Sequence, residues 1–129
     1  MPEEERRDLE DRLVEYAARM IRFAEELPQT GAAIQASSQL PRSGTSPLAQ
    51  YRKAESARSR GGSFAHNLKN ALRELRESLR WLRLTQRMPE MEDQELLPPL
   101  IRETNDLIRV FTANIKTAKS AIRRPKKDA

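Results

Sequence analysis

The chain has 129 residues, the length of one domain, and a formal net charge of +5; 33% of it is charged, 37% hydrophobic and only 5% aromatic. That balance suits a solvated helical bundle and argues against a β-sandwich, which draws on β-branched and aromatic residues. With no Cys and one His there is no disulfide scaffold, no thiolate metal site and little material for acid–base or nucleophilic chemistry, so the composition speaks against an enzyme and implies no cofactor.

The first helix is predicted from about residue 4 to residue 27. Leu9, Leu13, Tyr16, Ala17, Met20, Ala24 and Leu27 recur three and four apart, and Pro28 follows. Its early acids suit the positive end of the helix dipole. Thr30 is placed to cap a second segment from residue 31 to about residue 40, in which Ala32, Ala33, Ala36, Ser37 and Ser38 permit close helix approach. Proline inside a helix costs about 3 kcal/mol, so Pro41 predicts a kink or break near Pro41–Gly44. Ser46 and Pro47 then read as a cap and first helical position for a restart to about residue 58, ended by Arg60-Gly61-Gly62.

The third helix, predicted from Ser63 to about Arg87, carries Leu68, Leu72, Leu75, Leu79 and Leu82 in a heptad seam. The fourth repeats the signal with Ile101, Thr104, Ile108, Phe111, Ile115, Ala118 and Ile122, widened by Leu100 and Leu107, with Pro98 and Pro99 in its first turn. Four amphipathic segments with short connections predict an all-α, antiparallel up-down four-helix bundle over residues 1–122, with a basic flexible tail at 123–129. The N-terminus lacks the apolar core of a secretory signal, and the longest charge-free run, 27–41, is too polar to span a membrane. Cytoplasmic residence is the expectation, with no membrane partner.

Charge is unevenly placed. Residues 1–26 hold nine acids and five bases, 27–88 three and eleven, 89–106 six and one, and 107–129 one and seven. Arginine supplies 18 of the 24 bases, and its planar fork suits phosphate and carboxylate partners. The candidate contacts form two groups. Lys69, Arg73, Arg76, Arg80, Arg83 and Arg87 follow the leucine seam of the third helix one position later. Like charges three and four apart destabilise an isolated helix, so this stripe calls for outside partners. Phosphates are one class. Acids of another helix or a neighbouring subunit are the other, with Glu103, Asp106 and the acids of 90–95 available, and Glu74 and Glu77 in the same helix leave local pairing open. Arg42, Arg52, Lys53, Arg58 and Arg60 form the second group, relieved only by Glu55, with hydroxyls at Ser43, Thr45, Ser46, Ser56 and Ser59 near them. His66 lacks the Glu-x-x-His spacing of a di-iron bundle and reads as a core or interface histidine. Trp81 and Leu84 flank the seam, placed for core packing or a subunit contact.

Gln39-Leu40-Pro41-Arg42-Ser43-Gly44-Thr45-Ser46-Pro47, with Ala49, Tyr51, Ala54, Ala57, Arg58 and Ser59, resembles the second helix of a bacterial four-helix bundle family. That family includes the proteins encoded in 23S ribosomal RNA intervening sequences. Phe64-Ala65-His66, Leu68, Ala71-Leu72, Glu74-Leu75, Glu77 and Trp81-Leu82 resemble its third helix, and Phe111 to Lys119 its fourth. Pro41 departs from it where an aliphatic residue is usual, as does Gln50 where Asn is usual. The resemblance implies a non-enzymatic homo-oligomer, commonly a pentamer, with a basic surface for RNA or DNA. A related branch, the accessory variability proteins of diversity-generating retroelements, binds a reverse transcriptase and its RNA. Two functional expectations follow: a nucleic-acid-associated scaffold gripping phosphates, or a protein-binding adaptor that docks a polymerase such as a retroelement reverse transcriptase without touching nucleic acid.

Overall fold

The computed structural model describes residues 2–123 and consists, over them, of four helices and one short 3-10 turn. Helix α1 spans Glu3–Glu25, α2 Gly31–Ser56, α3 Gly61–Gln86 and α4 Leu97–Arg123, with the 3-10 turn Pro89–Met91 between α3 and α4. The tail expected at 123–129 lies outside the described residues apart from Arg123, the last residue of α4.

Helices α1, α3 and α4 form where their apolar repeats predict them. Leu9, Leu13, Tyr16, Met20 and Phe23 of α1 are buried, as are Leu68, Leu72, Leu75 and Leu82 of α3. In α4 the buried line is Leu100, Thr104, Leu107, Phe111 and Ile115, while Ile101 and Ile108 lie at its edge. Consecutive helices pack side by side and α4 returns to α1. The backbones of α1 and α3 stay apart on one diagonal and those of α2 and α4 on the other. Across the second diagonal Tyr51 and Phe111 meet edge to face, their ring centroids 6.0 Å apart.

The interruption expected near Pro41–Gly44 is absent. Helix α2 runs unbroken through both Pro41 and Pro47, and Ser46 sits mid-helix rather than capping a restart. Tertiary packing explains the difference. Gly44 lies so close to α1 that an added Cβ would stand 2.7 Å from Met20 Cβ, and buried Ser78 of α3 donates to Ser43 Oγ at 2.9 Å. These contacts hold the proline-bearing turns in helical geometry from both sides. The glycines 61 and 62, expected to terminate a helix, instead form the first turn of α3.

Polar side chains are buried in every helix: Tyr16 in α1, Ser43 in α2, Ser78 and Thr85 in α3, and Thr104 in α4. Thr104 donates its only hydroxyl proton to the Leu100 carbonyl at 2.7 Å, so the 2.7 Å contact with Tyr16 is a bond donated by the phenol. Burial pushes the Tyr16 hydroxyl up to about 12.

Candidate functional site

All six bases of the α3 stripe are exposed. Their fate depends on the carboxylates that were available to neutralise them. Glu103 instead takes Arg12 of α1 in a two-pronged pair, with Nε to Oε2 at 2.7 Å and Nη2 to Oε1 at 2.8 Å. That bond holds the Arg12 guanidinium above its ordinary pKa although burial opposes it. Asp106 pairs with Arg109 on its own helix and lies 3.9 Å from Arg12. Within α3, Glu77 takes Arg80 at 3.3 Å and the Trp81 indole N–H at 3.0 Å, while Arg73 donates to Asn70 Oδ1 at 3.1 Å. Lys69, Arg76, Arg83 and Arg87 make no ion pair with the described residues.

The second group divides. Arg58 is not a free surface base. It is half-buried, bonded to Glu55 at 2.7 Å and stacked over the Phe64 ring with its guanidinium carbon 4.8 Å from the centroid. Glu55 also binds Arg6 of α1 at 3.0 Å, so this cluster ties the α2 C-terminus to two other helices. Ser43, one of the hydroxyls considered for phosphate, is buried against Ser78. Arg42 is exposed but stands ten residues from Arg52, about 15 Å along the helix.

Arg52, Lys53 and Arg60 do come together. They line an open depression at the α2–α3 junction with Ser56, Ala57, Ser63 and Asn67, and no carboxylate lines it. All three cations are exposed, and none is paired with a described residue. Arginine forks, an ammonium, two hydroxyls and an amide can bind phosphate oxygens there. The large aromatic side chains Tyr16, Phe23, Tyr51 and Phe111 are buried, so they offer no stacking platform for bases.

No family model and no curated protein matches the chain. A crystal structure of a protein of unknown function from the S23 ribosomal protein family of Bacteroides thetaiotaomicron is similar to it, with 28% identity, 86% of this chain and 97% of that one covered, and a TM-score of 0.70. The chain is similar to an S23-family protein in sequence and in fold. The neighbour fits the family that the 39–82 segment resembles, and the two chains share a fold over most of their length. Among the described residues of this S23-like bundle no helix is long and apolar enough to cross a membrane.

Ser63 and Asn67 are site residues that the sequence reading missed. Their four-residue spacing put them on one flank of α3, but only the α2–α3 register shows that the flank faces Arg52 and Lys53. Arg102, Arg109 and Lys116 of α4 are exposed as well. His66, expected in the core or an interface, is exposed, with Asn70 Nδ2 at 3.4 Å from its Nε2.

Proposed function

We propose that the chain is a non-catalytic scaffold that assembles with copies of itself and holds nucleic acid by its phosphates. The observation that carries this reading is the acid-free depression where Arg52, Lys53 and Arg60 stand exposed beside Ser56, Ser63 and Asn67. Its chemistry matches a phosphodiester backbone and its lining has no aromatic side chain on which bases could stack, so affinity is mainly electrostatic, with little base readout. Self-assembly, into a pentamer by family resemblance, repeats the depression on every copy.

Fluorescence anisotropy with labelled RNA and DNA strands over a salt series tests the proposal. Log affinity should fall linearly with log salt. The combined substitution Arg52→Glu, Lys53→Glu and Arg60→Glu should reduce the slope by about 2 to 3, since each phosphate contact contributes about 0.7 to 0.9. If the intact protein binds neither nucleic acid even at low salt, the proposal fails. The remaining reading is then the adaptor, whose cations dock on an acidic protein surface such as that of a polymerase.

A further inference from the structure

We infer that the basic stripe of α3 docks on the acidic face of α1 of a second copy of this chain, head to tail. The inference rests on the self-assembly included in the proposed function and names its contact. Glu4, Asp8, Asp11 and Glu15 are spaced four, three and four apart and are all exposed, so they form one ridge along α1. Three of the bases of α1 are engaged or turned aside: Arg6 binds Glu55, Arg12 binds Glu103, and Arg19, seven residues after Arg12, is half-buried on the same flank. Arg7 and Arg22 are exposed, and Arg22 lies 3.6 Å from Glu15.

The α3 stripe is the complement of that ridge. Lys69, Arg73, Arg76, Arg80, Arg83 and Arg87 are spaced four, three, four, three and four apart, and Arg80 alone among them pairs with a carboxylate of the described residues. At 1.5 Å per residue the acidic ridge is about 16 Å long and the basic stripe about 27 Å, so the ridge lies alongside at least three of the bases. Each row repels itself along its own helix, and each is relieved by the other.

Topology prevents the two rows from meeting within one molecule. Helices α1 and α3 occupy opposite corners of the bundle, and their outer faces look away from each other. A twofold dimer would have to use the same patch on both copies, so it cannot join these two faces twice. A head-to-tail contact uses both and closes into a ring or continues as a filament. Exposed apolar side chains supply desolvated contact at the two faces: Val14 and Ile21, 49% and 41% exposed, beside the ridge, and Leu84, 47% exposed, beside the stripe.

Sedimentation velocity and light scattering on charge-reversed full-length chains test the contact. One variant combines Asp8→Lys, Asp11→Lys and Glu15→Lys, and the other Arg76→Glu, Arg80→Glu and Arg83→Glu. All six positions are exposed, and circular dichroism checks that both variants keep the fold. The wild type should assemble and each variant alone should sediment as a monomer. A one-to-one mixture should regain assemblies in which the two variants alternate, as open chains or rings of even copy number, because each variant then meets the charge opposite to its own. If the wild type assembles and either variant alone does so equally well, the α1–α3 contact is wrong while self-assembly stands. Failure of the folded mixture to reassemble also overturns the contact, as does loss of nucleic-acid binding with undiminished assembly in the Arg-to-Glu variant. A wild type that stays monomeric at low salt overturns self-assembly itself.

Discussion

Replacing Gly44 by Ala tests the packing that keeps α2 continuous. The added methyl would meet Met20 Cβ at 2.7 Å, Cγ at 2.8 Å and Cε at 3.3 Å. Carbon atoms rest about 3.5 to 4.0 Å apart, so α1 and α2 would have to separate locally by about 1 Å. Rotating the methionine relieves only the outer contacts, because its Cβ is fixed to the α1 backbone. Overpacking of this kind costs about 1 to 3 kcal/mol, whereas exchanging Gly for Ala in a helix interior gains about 1 kcal/mol. With the clash at a buried and immobile atom the cost lies at the upper end of that range, which leaves a net loss of about 1 to 2 kcal/mol. For a chain of this size that lowers the melting temperature by about 3 to 8 °C. The control is Gly62→Ala in the first turn of α3, where an added Cβ meets nothing within 4 Å and stability should hold or rise. Urea unfolding followed by circular dichroism compares both with the wild type. A Gly44→Ala protein as stable as its parent, beside a well-behaved Gly62→Ala, would show that α1 and α2 do not approach as described.

Thr104→Val keeps the shape of the side chain but takes away the acceptor of the buried Tyr16 hydroxyl, at a cost of about 1 to 2 kcal/mol in denaturant titration. Adding Tyr16→Phe should recover most of that loss, and a neutral Thr104→Val would refute the bond. Burial holds Tyr16 and Tyr51 protonated up to about 12, above the ordinary value of 10. Above pH 10 the unfolded chain therefore releases protons that the folded chain retains. The tyrosine contribution is whole below pH 10 and is lost as pH climbs through 12, by about 2 to 3 kcal/mol for Tyr16. Denaturant midpoints at pH 9 and above, alongside tyrosinate absorbance, check this; a Tyr16→Phe protein with the same alkaline decline as the parent refutes it.

The repeats that built the core were visible in the sequence because a buried stripe must recur at the helical period whatever it packs against. Pro41 and Pro47 misled for the converse reason. Their cost is local and legible, whereas the contacts that offset it, Gly44 on Met20 and Ser43 with Ser78, join residues 24 and 35 positions apart. The same limit governed charge. Arg58 had Glu55 three residues away, a pairing legible from spacing alone. Glu103, by contrast, was equally available to the α3 stripe and to Arg12, and 91 residues separate it from the partner it takes. A list of charges gives the number of carboxylates in a bundle, and only the packing says which cations they leave unpaired.

Under the proposed function, that allocation would also link assembly to phosphate binding. Three cations in an open depression give one copy only weak, non-specific affinity, of the order of 10⁻⁴ to 10⁻⁶ M at physiological salt. Copies held in a fixed arrangement present the depression repeatedly, and a strand captured at one site meets the next as an intramolecular event, worth a factor of about 10² to 10⁴. If the α3 stripe bound the strand itself, the acidic ridge of α1 would have no counterpart, and each added copy would bring a repelling face to the nucleic acid. Covering the ridge with the α3 bases of a neighbour, as proposed, would remove that repulsion. The depression at the α2–α3 junction, which uses none of the stripe's residues, is left free to meet phosphate.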